Sequence, residues 1–293
     1  MKIAIFGKTI DPQWYERLHV VLNYFKSRKV DWLCYAPFYA FLTCEMQEDL
    51  PLVPTFTLEE GLPPDVTFLL TLGGDGTFLD ALPLVFGRDI PVTGINFGRL
   101  GFLAGLGPDV YDGALEQLLN GDYHVESRSL IEVSSAALPL DIFPYALNDC
   151  VLHRKDAGML AVTVSLPERV LPRYWADGMI VATPTGSTAY ALSVGGPIIS
   201  PQADVLLLLP IAPHNLNVRP MVLPDDAWLS ICVESRCGEA ILSLDSRSVD
   251  IPSGTELLVK RAPFTLKYIA LREHQFIDTL HEKLLWGFDK RNF

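Results

Sequence analysis

Over its first hundred or so positions the chain alternates short, nearly unbroken apolar runs with longer amphipathic segments. Lys2–Phe6, Val30–Tyr35, Val66–Leu72 and Ile90–Ile95 read as strands. Gln13–Arg28 carries Trp14, Leu18, Val21, Leu22 and Phe25 at helical spacing. A second helix is predicted from about Thr77 into Leu82-Pro83-Leu84. A third covers Asp109–Asn120, with Leu115, Leu118 and Leu119 as its apolar side. Strands separated by helical segments predict a mostly parallel sheet with helices on its faces, and ligands at the carboxyl ends of its strands.

After Tyr123 the period shortens. Leu130–Val133, Leu160–Val164, Met179–Ala182, Leu229–Val233, Ala240–Leu244 and Glu256–Lys260 are short alternating runs punctuated by turn residues, the signature of an all-β sandwich or barrel. Helical spacing returns at Phe276–Trp286 through Ile277, Leu280, Leu284 and Leu285. The expected architecture is α/β plus all-β. A Rossmann-like α/β domain covers 1–124 and 272–293, and a β-sandwich covers 125–271, with the last helix returning to the first domain. No internal repeat or long linker interrupts the chain.

Composition narrows this further. The 293 residues are 49% apolar and 20% charged, which suits packed domains and argues against disorder. A formal net charge of −12 disfavours nucleic acid or an anionic membrane as the main partner. Polyanionic small molecules must then be met by local backbone donors, a few basic groups and a divalent cation. The five cysteines, Cys34, Cys44, Cys150, Cys232 and Cys237, contain no CxxC pair and read as reduced thiols. Met1–Gly7 runs straight into a strand, leaving no room for a signal peptide, and Val205–Leu209 is too short to span a bilayer. The expectation is a soluble cytoplasmic protein.

Candidate chemistry starts at Gly73-Gly74-Asp75-Gly76-Thr77, directly after the Val66–Leu72 strand. Glycines there let the backbone approach a ligand and aim N–H groups at phosphate oxygens. An Asp-Gly between two apolar runs is, taken alone, more often a hairpin turn. Here a helix comes next, and a carboxylate among phosphate donors asks for a metal or for proton transfer. The segment is neither a P-loop nor GxGxxG, so backbone N–H groups and Mg²⁺ are expected in place of the missing lysine.

Three further segments are candidates. Asn96–Leu103 contains glycines for a close turn and Phe102 as an apolar wall; a purely structural loop is the competing reading. Asn148-Asp149 heads a strand, and an amide beside a carboxylate can hold a ribose diol; a solvated turn is the competing reading. Asp177–Pro197 is rich in Thr, Ser and Gly and poor in charge, which suits hydrogen bonding to a nucleoside. It lacks the G-x-S-x-G elbow of a serine nucleophile, and neither His153 nor His214 has a partner that would make a triad.

In this order and spacing the blocks Gly73–Thr77, Asn96–Leu103, Asn148-Asp149, Asp177–Pro197, Pro213–Pro220 and Asp245-Ser246-Arg247 resemble the bacterial NAD kinases over essentially the full chain. The short GGDGT element alone is shared with phosphofructokinase and diacylglycerol kinase groups. The resemblance implies transfer of the γ-phosphoryl of ATP to the 2′-hydroxyl of the adenosine ribose of NAD. It also implies the two-domain fold, a divalent cation, and homodimers or homotetramers in which Thr188–Ser193 helps complete a neighbour's site.

Carried over by position, Asp75 resembles the catalytic acid–base, flanked by Gly73, Gly74, Gly76 and Thr77. Phe102 resembles the aromatic on the adenine side. Asn148, Asp149, Asp177, Thr185, Thr188, Ala189, Tyr190, Ala191, Leu192, Ser193 and Arg247 fall at dinucleotide-binding positions. The chain departs from the family pattern where Asp149 stands for a common Glu, Trp175 for a basic residue and Arg247 for a Gln. A lipid or sugar kinase sharing the glycine turn, and a dinucleotide sensor without turnover, are the alternatives.

Overall fold

A computed structural model describes residues 1–98, 101–106, 111–271 and 276–284. Arg99 and Leu100 of the glycine-bearing loop, Asp109 and Val110 of the third predicted helix, and Leu285 and Trp286 of the last one lie outside the described residues. The chain divides into two compact units, Met1–Glu126 with Leu266–Phe293, and Ser127–Thr265. Pattern reading had placed these boundaries after 124 and before 272.

In the first unit, β1 (Lys2–Gly7), β2 (Asp31–Tyr35), β3 (Thr55–Phe56), β4 (Phe68–Leu72) and β5 (Val92–Ile95) form parallel pairs in the spatial order β5-β4-β1-β2-β3. The order reverses between β1 and β4, so the crevice outside their carboxyl ends is where an open α/β sheet accepts a ligand. All of β4 and β5 and nearly all of β1 are buried, which is why they read as unbroken apolar runs. Helix α1 (Tyr15–Arg28) buries Leu18, Val21, Leu22 and Phe25 against this sheet and ends on Lys29 in the left-handed region. α2 (Ala36–Ala40), which the pattern did not reveal, contributes Phe38 to the same core.

The helix after the glycine turn starts earlier and ends sooner than expected. α3 spans Asp75–Asp80, and α4 (Leu82–Val85) follows after a break at Ala81. Pro83 lacks an N–H and cannot continue a helical ladder begun upstream, so it falls in the first turn of a new helix. α5 (Tyr111–Asn120) buries Ala114, Leu115 and Leu118.

The second unit is antiparallel. The following β6 (His124–Ser134) meets β7 (Tyr145–Ala146) through Ile131–Ala146. β8 (Asp149–Arg154), β9 (Leu160–Leu166), β10 (Arg169–Val170), β11 (Tyr174–Ala176) and β12 (Gly178–Ala182) follow. α6 (Tyr190–Ser193), β13 (Val205–Ile211), β14 (Met221–Pro224), β15 (Leu229–Ser235), β16 (Glu239–Leu244) and β17 (Arg247–Pro252) lead to β18 (Thr255–Ala270) and α7 (Phe276–Leu284).

One sheet runs β14-β13-β12-β8-β16-β17; in the other β10, β9, β15 and β18 are successive neighbours. Between them lie Leu152, Val181, Leu208 and Leu242 from the first and Val162, Ile231 and Leu257 from the second. The outward residues Val151, Ile180, Leu207 and Leu209 are buried too, under Ala191, Val194 and Ile199. That second cover explains why β12 and β13 lose their alternation. β18 is longer than its predicted core: Thr255–Val259 pairs with β15 in the second unit, whereas Tyr268 pairs in parallel with Val92 in the first.

Candidate functional site

One candidate site lies in the first unit, at the carboxyl end of β4. Gly73 adopts φ +154°, and a Cβ there would lie 2.3 Å from Thr77 Oγ1. Its N–H donates to Ile95 O (3.0 Å) and its carbonyl accepts from Phe97 N–H (3.3 Å). The expectation that Gly73 offers its N–H to phosphate is therefore corrected: that donor is spent on the end of β5. Thr77 packs on the same glycine. Gly74 and Gly76 differ, because a Cβ on either would meet nothing within 4 Å, so this side of the turn faces open space that a ligand can enter.

Asp75 opens α3, and its carboxylate is tied to the loop after β5. Oδ2 accepts from Phe102 N–H (2.8 Å), while Oδ1 accepts from Leu103 N–H (3.1 Å) and Ala104 N–H (2.9 Å). A carboxylate has about four lone-pair sites, so one site on Oδ2 is left. Gly101 makes this approach possible, since a Cβ there would lie 1.8 Å from Asp75 Oδ1. The loop is braced from behind by Tyr268, whose hydroxyl donates to Leu103 O (3.1 Å). Phe102 has Lys283 Nζ 4.0 Å from its ring centre. Tyr268 and Lys283 were not singled out from the sequence. A lysine at the (i, i+7) position from Phe276 on an otherwise apolar helix face was the available signal.

A separate candidate site lies in the second unit, where β8 begins, β12 ends and the β16–β17 hairpin turns. Asp149 is not in a solvated turn; it is 5% exposed. Asp245 occupies the hairpin at φ +52°, a left-handed conformation that Asp tolerates better than most residues. That geometry turns its carboxylate inward, to accept from Leu147 N–H (2.9 Å), Asn148 N–H (2.8 Å) and Asp149 N–H (3.3 Å). Burial pushes Asp245 above the usual carboxylate range, opposed by these three donors and by Arg247. Asp149 is pushed up to about 7, first by burial and then by the neighbouring Asp245 carboxyl. Two carboxyls this close titrate as a pair. Three backbone donors and Arg247 favour the ionised form of Asp245 and offset part of that burial.

Asn148 has its backbone fixed on both sides, N–H to Asp245 and carbonyl to Thr183 N–H (2.9 Å). Its side-chain amide has no hydrogen-bond partner among the described residues. The turn after β12 presses on it so closely that a Cβ on Gly186 would lie 2.0 Å from Asn148 O. Thr185, in that turn, keeps a buried hydroxyl oxygen without a partner among the described residues. The structure thus brings Asn148, Asp149 and Thr185 together. Tyr190 lies beyond, its ring 5.6 Å from that of His153 and nearly parallel to it. Burial lowers the His153 pKa, so this partner, missed from the sequence, is held neutral.

Other expected contacts are redirected. Ala191 is fully buried in the apolar layer under Thr185–Ile199, and its carbonyl accepts from Gly196 N–H (2.9 Å). Its methyl anchors the segment to the sheet and does not face a ligand. Arg247 is neither a surface charge nor an open cation. It donates to Tyr145 O (2.6 Å) and Leu244 O (3.2 Å) and lies 3.6 Å from Asp245 Oδ2, bracing the hairpin. Asp177 Oδ1 pairs with Arg154 Nε at 3.2 Å, and Thr188 Oγ1 donates to Thr185 O (3.2 Å). Ala189 closes the 3-10 turn before α6 by donating its N–H to Gly186 O (2.9 Å). Ser193 is exposed and Leu192 half-buried.

Comparison with known proteins places both units in context. Residues 42–123 match the family model of the ATP-NAD kinase N-terminal domain, and residues 147–271 that of the ATP-NAD kinase C-terminal domain. The chain is 37% identical to an NAD kinase of Christiangramia forsetii over 297 aligned positions, covering 100% of both chains. It is 39% identical to one of Porphyromonas gingivalis, covering 98% of each. Among solved structures, yeast NADH kinase complexed with NADH superposes with a TM-score of 0.84 at 26% identity, covering 100% of this chain and 90% of that one. An NAD kinase from Archaeoglobus fulgidus in complex with ATP gives 0.73 at 25% identity, covering 97% and 99%. With the glycine turn and the Asn-Asp pair each built as described, and the whole chain matched end to end by these relatives, the chain belongs to the NAD kinase family.

Proposed function

We propose that this protein transfers the γ-phosphoryl of ATP to the 2′-hydroxyl of the adenosine ribose of NAD, giving NADP and ADP. The observation that carries the chemistry is the Asp75 carboxylate, fixed by three N–H donors beside the open Gly74–Gly76 turn with one oxygen lone pair unspent. A secondary alcohol is a weak nucleophile, and a carboxylate within hydrogen-bond reach assists by taking its proton as the bond to phosphorus forms. Fixing that carboxylate in advance removes the cost of orienting it during the reaction. In the second unit, the Asn148 amide, the Asp149 carboxyl and the Thr185 hydroxyl supply neutral and anionic hydrogen-bonding groups for the dinucleotide.

A divalent cation enters this reading as part of the donor. Mg²⁺ dehydrates reluctantly and is commonly held by substrate phosphates with only one or two carboxylates. Among the described residues no cluster of three or more His, Cys, Asp or Glu side chains could hold a metal, and that fits a cation carried in on the triphosphate, where it would neutralise phosphoryl charge. Homo-oligomeric assembly and a cytoplasmic location belong to the same proposal. No helix among the described residues is long and apolar enough to cross a membrane.

The test is an acceptor panel with ATP and Mg²⁺: NAD, NADH, diacylglycerol and fructose 6-phosphate. Phosphorylation of NAD at the 2′-hydroxyl is expected. Turnover of the lipid or the sugar with none of the dinucleotide would reassign the enzyme, and nucleotide binding without any turnover would make it a sensor.

Asp149 makes the reaction pH-dependent. Its folded-state pKa lies above the ordinary carboxylate value, so the stability linked to its proton is complete at low pH and is lost as pH rises through about 7. Gripping a ribose diol needs the opposite form, the ionised acceptor. The KM for NAD is therefore expected to fall as pH is raised from about 6 to about 8, and Asp149→Asn to flatten that dependence. An identical pH profile in the variant would show that another group governs it.

A further inference from the structure

The first unit lacks the lysine with which P-loop proteins meet a transferred phosphoryl group, and the fold brings one from the far end of the chain over Phe102, in the loop that holds Asp75. On α7, Phe276, Leu280 and Lys283 recur at i, i+4 and i+7, so they share one helix face. Leu280 is 1% exposed, and the Phe276 ring lies 6.5 Å from that of Phe102. Lys283 continues this inward face. Its Nζ lies 4.0 Å from the Phe102 ring centre, within the range of a cation–π contact.

Phe102 is the residue whose N–H binds Asp75 Oδ2, so the ammonium sits over the loop that holds the carboxylate. Lys283 is half-buried and forms no ion pair among the described residues. Burial lowers its pKa, and the charge that favours its protonated form is Asp75. Lys8, just past the carboxyl end of β1, is by contrast paired with Asp80 at 2.6 Å. A buried-facing, unpaired ammonium on an apolar stripe is costly to keep for packing alone, because an apolar residue would fill the position without desolvating a charge.

We infer that Lys283 binds the donor's terminal phosphoryl group beside Asp75 and neutralises its charge during transfer. This rests on the kinase reading above. The need is electrostatic. Asp75 is an anion, the incoming triphosphate is another, and Gly73 has no N–H to spare. Charge in phosphoryl transfer spreads over the equatorial oxygens, and a pre-placed cation stabilises it there without reorganisation. The Phe102 ring holds the ammonium in place and leaves its N–H donors available for oxygen.

The experiment uses the full chain with Lys283→Met, which keeps an unbranched apolar stem over Phe102, and Lys283→Arg, which keeps the charge. Initial rates are measured with ATP varied at saturating NAD and the reverse, and binding of a non-hydrolysable ATP analogue with Mg²⁺ is followed by calorimetry. Loss of a charge-assisted hydrogen bond predicts that Lys283→Met raises the KM for ATP and the analogue's Kd by roughly 10–100-fold. The KM for NAD and the thermal midpoint should stay near wild type, and Lys283→Arg should recover most of the loss. Unchanged ATP and analogue affinity in the Met variant would overturn the assignment. So would an equal rise in both KM values, or an Arg variant as impaired as Met, since either marks a packing role. Failure of the wild-type protein to phosphorylate NAD would refute the parent reading instead, and calorimetry with the analogue still reads Lys283 by itself.

Discussion

Asp75→Asn is expected to lower kcat by roughly 10²–10⁴-fold, the usual worth of a general base, with little change in the KM for NAD. The substitution keeps the size of the side chain but leaves one carbonyl oxygen for the three N–H donors of Phe102, Leu103 and Ala104. Its amide NH₂ must also face at least one of them. Some loosening of the loop, on the order of 1–3 kcal/mol for an unsatisfied donor, is therefore expected in addition. The two effects separate experimentally. Single-turnover rates with pre-bound ATP and NAD report the chemical step, whereas a denaturant midpoint reports the loop. A single-turnover rate close to that of wild type would remove Asp75 from proton transfer and leave it as a tether for the 101–104 loop.

Asp245→Ala is expected to cost about 3–5 kcal/mol of stability in the second unit, the range for uncovering a buried charge network. Three backbone donors lose their acceptor at once, and the Arg247 guanidinium loses the anion 3.6 Å away. Alanine is also a poorer occupant of the left-handed φ at this turn. Asp245→Gly separates these causes, because it relieves the backbone while still leaving the donors bare. If the lost carboxylate dominates, Gly and Ala unfold at similar denaturant concentrations. A Gly variant as stable as wild type would show that strain, and not the buried acceptor, is what the site depends on. In Asp245→Ala, the Asn148-Asp149 backbone is no longer pinned, so the KM for NAD should rise even below the unfolding transition.

The strands of the first sheet were legible because burial on both faces leaves unbroken apolar runs, and Gly73–Thr77 was legible because three glycines around one acid have few structural uses. Helix ends were less so. The break at Ala81 follows from Pro83, a local cause, yet the pattern carried the helix across it. The Asn148-Asp149 pair was visible as chemistry, but its burial was not. A carboxylate at the head of a strand reads as solvated until the hairpin almost a hundred positions later folds over it. Ala191 shows the opposite error. A small residue in a polar run resembled a ligand contact and proved to be an anchor, because the outer face of β12 and β13 needs a cover that no local pattern announces.

Residue order alone settled the family and the longer strands with apolar or alternating runs, since these depend on motif spacing or on neighbours within a few positions; short strands such as β3, β7, β10 and β11 carried no such run. The long-range contacts were settled only by folding: Gly101 against Asp75, Tyr268 behind Leu103, Lys283 over Phe102, and Asp245 beneath Asn148. Each joins positions far apart in the chain through distances of a few ångströms. Hydrogen bonding and charge act over those distances in space, and sequence separation does not encode them.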